Sequence, residues 1–97
     1  MTLYPKAEAR FFSVSGSITV PCTVRFKDRL IFADCYGNGK ISFKGIKEES
    51  GTFSLRSEES DALGFLRFAN PRRLEGSTFF GDDEGMWRIM LGEPDAT

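Results

Sequence analysis

Alternation is the feature that most restricts what this chain can fold into. In "ITVPCTVRF", residues 18–26, Ile18, Val20, Cys22, Val24 and Phe26 fall on one face, and Thr19, Pro21, Thr23 and Arg25 on the other. A period of two lines the opposite faces of a β-strand, whereas a helix would need apolar residues three and four apart. The same period recurs in "RLIFADCYG" (29–37), "KISFKG" (40–45), "TFSLRS" (52–57) and "MWRIML" (86–91). Polar, glycine-rich punctuation separates these runs: "KDR" (27–29), "GNG" (37–39), "KEESG" (47–51), "EESD" (58–61) and "GDDEG" (81–85). Asn and Gly tolerate the positive φ of tight hairpins, so such stretches read as turns.

Two stretches carry both signals. "PKAEARFFSV" (5–14) alternates Ala7, Ala9 and Phe11 with Lys6, Glu8 and Arg10, yet Pro5 is also suited to opening a helix. "ALGFLRFANPRR" (62–73) has a helix cap in Ser60 or Asp61, but Gly64 would cost a helix about 1 kcal/mol. Strands are expected in both, the second over about 63–69, followed by a strand in "LEGSTFF" (74–80). The sum is an all-β domain spanning 1–97, with seven to eight short strands and a tail at 92–97 expected to fray. Short connections make sequence neighbours spatial neighbours. The expected architecture is therefore an antiparallel meander curling into a barrel, with a two-layer β-sandwich as the alternative. Over its last two strands, "GDDEG" followed by "MW" resembles the small up-and-down barrels of the calycin type. It lacks the Gly-x-Trp that group carries in its first strand. That resemblance implies a meander barrel and nothing finer.

Ten Phe and one Trp must be placed in 97 residues. Half of each strand points inward, so a barrel of this size should be filled by its own side chains, leaving at most a shallow pocket at a mouth. Leu30 and Phe32 cannot share a face with Ile31 and Ala33. The sheet is therefore expected to carry apolar residues outside as well, and such patches mark partner surfaces.

The two cysteines, Cys22 and Cys35, can be placed by register. If the first hairpin closes at Asp28-Arg29, Phe26 faces Ile31, Val24 faces Ala33 and Cys22 faces Cys35. A one-residue slip would turn Asp34 into the core, which is costly for an unpaired carboxylate. Opposed Cβ atoms lie about 4.5–5.5 Å apart and a disulfide wants about 3.5–4.5 Å, so a bridge is feasible but strained. Two reduced thiols filling core gaps is the expected state. With no histidine in the chain, a zinc site needs more ligands than these thiols supply, and a cysteine nucleophile lacks its usual base.

Trp87 and Tyr36 are candidates for ligand stacking, Phe32 for an exposed apolar contact, and Arg72 and Arg73 for holding an anion in bidentate fashion. Asp82, Asp83 and Glu84 read as a solvated hairpin tip rather than a calcium loop, which spreads its ligands over about twelve residues. Pro21 cannot donate to a ladder, so its strand is expected at an edge or bulged there.

The formal net charge of −1 and pI near 5.4 do not favour nucleic acid, whose binding is driven by phosphate neutralisation. The first ten residues lack the apolar run of a signal peptide, and no stretch approaches the roughly 20 residues of a membrane span, so a soluble cytoplasmic protein is expected. No cofactor is expected. The expected function is a binding module that recognises a protein partner or a second copy of itself through an apolar sheet face or edge. The alternatives are a carrier of a small apolar or aromatic ligand at a barrel mouth, and an enzyme restricted to carboxylates and arginines.

Overall fold

The computed structural model describes residues 1–95. Eight antiparallel strands follow one another around a closed barrel: β1 (Thr2–Ser13), β2 (Gly16–Lys27), β3 (Leu30–Gly37), β4 (Gly39–Lys47), β5 (Phe53–Ser57), β6 (Ala62–Asn70), β7 (Arg73–Phe80) and β8 (Asp83–Met90). The ring closes where β1 pairs with β8, from Glu8 opposite Met90 to Phe12 opposite Met86. Closure distinguishes the barrel from the sandwich alternative. Both ambiguous stretches are strands, because each is needed as a wall: β1 seals the ring and β6 joins β5 to β7.

The registers follow from the turns. β2 and β3 meet across Asp28-Arg29, with Asp28 at φ 56°, and Cys22 stands opposite Cys35. β3 and β4 turn on Asn38 alone, with Gly37 opposite Gly39. The β7–β8 turn is tighter than "GDDEG" suggests. Gly81 takes φ 64°, Phe80 already pairs with Asp83, and Asp83 and Glu84 are therefore strand residues. The sheet is closed, yet at Pro21 β2 pairs on one side only, with Glu8 of β1, so the proline stands at a local edge. The β2–β3 ladder ends at Cys22, one residue short of the proline, so the missing donor costs that ladder nothing.

The barrel axis is filled in three levels. At the end that carries the turns at 14–15, 38, 58–61 and 81–82, Phe11, Phe43, Phe80 and Trp87 pack as a cluster, with ring centroids 4.9–6.5 Å apart. At the other end Tyr4, Phe26, Phe53 and Phe68 form a second plug, with centroids 5.8–6.1 Å apart. Between the plugs lie small and branched side chains, among them Ala7, Ala9, Cys22, Val24, Ala33, Cys35, Leu66, Leu74 and Ile89, all buried. The other four phenylalanines, Phe12, Phe32, Phe65 and Phe79, belong to the opposite alternation phase and sit on the outer wall.

The segment after β8 is held against the barrel as far as Asp95. Leu91 is buried, Arg72 Nη1 donates to the Gly92 carbonyl at 2.9 Å, and the Asp95 amide donates to the Leu3 carbonyl at 2.7 Å. The remainder of the tail expected to fray, 96–97, lies outside the described residues.

Candidate functional site

The residues singled out from sequence are dispersed rather than gathered. Trp87 is 1% exposed, stacked on Phe11 at 5.6 Å and tilted against Phe43 at 4.9 Å, and its Nε1 donates to the Phe65 carbonyl at 3.2 Å. It is a core residue. Gly64 makes room for it, since a Cβ there would lie 2.5 Å from Trp87 Cζ2. Tyr36 is 43% exposed and borders an open groove with Pro5, Lys6, Thr19 and Pro21.

Phe32 lies half-buried on the outer wall with the Arg25 guanidinium 4.5 Å over its ring and Lys44 Nζ at 5.8 Å. Its ring is thus already covered by cations. Arg72 pairs with Glu93 at 3.0 Å. Arg73 Nε lies 2.9 Å from Glu75, which Arg88 Nε approaches at 3.3 Å. One carboxylate thus sits between the Nε atoms of two guanidiniums.

Cys22 and Cys35 face each other inside the barrel with Sγ atoms 3.6 Å apart and no bond between them. The hydrogen bond to Cys35, and then burial, push the Cys22 thiol far above its ordinary pKa. Such a thiol stays protonated and is a poor nucleophile or metal ligand. Among the described residues no group of three or more His, Cys, Asp or Glu side chains stands together to hold a metal ion.

What the register assembles instead is a surface on the outer wall of β6, β7, β8 and β1. Leu63 stands opposite Phe79, and Phe79 opposite Glu84. One row further along, Ser77 stands opposite Met86 and Met86 opposite Phe12, with Phe65 at the β6 side of the same row. The rings of Phe65 and Phe79 meet edge to face at 6.1 Å. Met86 is 60% exposed. Leu63, Phe65, Phe79, Met86 and Phe12 thus make a contiguous apolar band across four strands.

The flanks of this band differ in sign. The next row toward the chain termini reads Arg67, Glu75, Arg88, Arg10, with Arg10 and Arg88 guanidiniums 5.1 and 5.6 Å from the Phe12 ring. Arg67 and Arg10 have no ion-pair partner among the described residues. On the opposite side lie the turns and strand ends that carry Glu58, Glu59, Asp61, Asp82, Asp83 and Glu84, all exposed. Readable signals for this surface were the doublets Phe11-Phe12 and Phe79-Phe80, which put one ring in each phase, and the phase of Met86 against Trp87.

A second concavity lies at the mouth, where β1 and β8 part beyond the Phe12–Met86 rung. It has a volume of about 420 Å³, is open to solvent, and is lined by the β1–β2 tip on one side and by Thr78, Phe80, Asp83, Glu84 and Gly85 on the other. Comparison with protein-family models, with curated proteins and with solved structures found no match to this chain.

Proposed function

We propose that this protein is a binding module that pairs with a second copy of itself through the outer wall of β6, β7, β8 and β1. The observation that carries this reading is the order of the rows: cations, then an apolar band, then acids. A two-fold axis lying in the plane of the wall, running across the strands through the centre of the band, lays each copy's cationic row over the other's acidic rim. The same rotation keeps the β6 side over the β6 side and the β1 side over the β1 side. It brings Arg67 of one copy toward Asp61 of the other, and Arg10 toward Glu84. Such self-complementarity is what an isologous dimer requires. Phe, Met and Arg are also the residue types enriched at interface cores and hot spots.

The size of the surface sets the strength. Four strands at about 4.8 Å and three row spacings of about 7 Å give a projected wall of roughly 400 Å². A stable interface buries about 800 Å² on each partner. The pairing is therefore reversible and concentration-dependent rather than permanent. Sedimentation equilibrium from micromolar to millimolar chain tests it: the mass rises from 10.9 kDa toward twice that value. Met86→Lys, an outward substitution, holds the mass at the monomer value with an unchanged far-UV spectrum. A wild-type mass of 10.9 kDa across the whole range would refute the proposal.

A further inference from the structure

The mouth groove carries features that self-pairing does not use. Phe11 and Phe80, edge to face with centroids 5.8 Å apart, form an apolar floor, and Phe11 is itself stacked on Trp87. Thr78 is 2% exposed, lines the groove, and its hydroxyl has no hydrogen-bond partner among the described residues. Thr78 Oγ1 lies beside Gly85, 3.4 Å from where a Cβ there would sit. A Cβ at Gly85 would also collide with the Phe12 carbonyl, so the glycine keeps the vertex of the groove closed behind Thr78. A hydroxyl that reaches a cavity with no partner of its own is a common specificity element of ligand sites. Asp83 stands at the rim and has no ion-pair partner among the described residues.

We infer that this groove binds a small hydroxyl-bearing aryl amine, with its hydroxyl on Thr78, its ring on Phe11 and Phe80, and its ammonium at the Asp83 carboxylate. The dimensions agree. Asp83 stands opposite Phe80, two residues along β7 from Thr78, a rise of about 7 Å. That is the span of a benzene ring with a two-carbon arm. The volume falls within the range of small-molecule sites, about 300–1,000 Å³. The Asp83 carboxylate sets the sign of the ligand's charge and the single hydroxyl sets which end goes in first. This site lies inside the mouth rather than on the outer wall, and it does not depend on self-pairing.

Trp87 is the only tryptophan in the chain and lies directly beneath Phe11, so its emission reports occupancy. The test titrates the full chain, at a concentration where sedimentation shows single copies, with tyramine, phenethylamine and 4-hydroxyphenylacetate. Calorimetry runs in parallel, so that a silent tryptophan still gives an answer. Tyramine binds tightest. Phenethylamine, which lacks the hydroxyl, binds about five- to tenfold more weakly. The anionic 4-hydroxyphenylacetate binds weakest. Thr78→Val removes the difference between the two amines while leaving the fold intact, since it deletes a hydroxyl that bonds to nothing. Asp83→Asn narrows the gap between tyramine and the carboxylate. Absence of saturable binding by both methods up to several millimolar overturns the site. Unchanged ligand order in Thr78→Val overturns the role of the hydroxyl, and equal affinity for amine and carboxylate overturns the cationic assignment.

Discussion

Trp87 and Gly64 depend on each other for space, and a double-mutant cycle on them has a sign that depends on the packing described. Replacing Trp87 by Phe removes the indole donor to the Phe65 carbonyl and part of a ring packed between Phe11 and Phe43. Loss of the donor costs about 1–3 kcal/mol. Loss of two to three buried carbons adds about 2 kcal/mol at roughly 0.8 kcal/mol each. The sum, about 3–5 kcal/mol, is a large part of the 5–15 kcal/mol that stabilises a typical domain. At about 4–8 °C per kcal/mol for a chain of this size, the melting temperature should fall by at least about 12 °C.

Gly64→Ala in the wild-type chain drives a Cβ to within 2.5 Å of Trp87 Cζ2, an overpacking that costs about 1–3 kcal/mol. With Phe at 87 the colliding atom is gone, and the added methyl fills vacated space and stiffens a strand glycine. Gly64→Ala should then be neutral or stabilising by up to about 1 kcal/mol. Urea denaturation followed by far-UV circular dichroism measures all four proteins. Equal destabilisation by Gly64→Ala in both backgrounds would refute the contact.

The two cysteines should be unreactive toward a thiol reagent in the native protein, and two free thiols per chain should appear on denaturation without reductant; none appearing would mean a disulfide. Glu59 is held below the ordinary glutamate pKa, first by the Ser42 amide at 2.9 Å, so its stabilising contribution is present above about pH 4.3 and is lost as pH falls through the lower native value. Glu59→Gln should therefore flatten the acid limb of stability against pH between about 5 and 3, and an unchanged limb would show that the bond does not form.

Much of the fold was legible because alternation and turn chemistry are local. The Asp28-Arg29 turn fixes Cys22 opposite Cys35, and the alternation places Trp87, Ile89 and Leu91 inside without any tertiary information. What was not legible depends on neighbours that are distant in sequence. Gly64 reads as a weakness in a strand until the indole from β8 is seen to need its space. Arg73 reads as a free cation until Glu75 is found at 2.9 Å with Arg88 beside it. Whether the β1 stretch is helix or strand is decided by β8, which needs it to close the ring. The candidate surface was half legible. Leu30 and Phe32 signalled an apolar exterior, but the larger band lies on β6, β7, β8 and β1, and only closure of the barrel brings Phe12 beside Met86.

The most direct measurement of the account mixes two charge-reversed chains, Arg67→Glu and Asp61→Arg, in sedimentation equilibrium at a concentration where the wild type pairs. Each variant alone should remain at the monomer mass, because like charges meet across the two-fold axis. An equimolar mixture should regain the dimer, since the reversed residues then face opposite charges. Pairing by either variant alone at wild-type strength, or a mixture that stays monomeric, would contradict it.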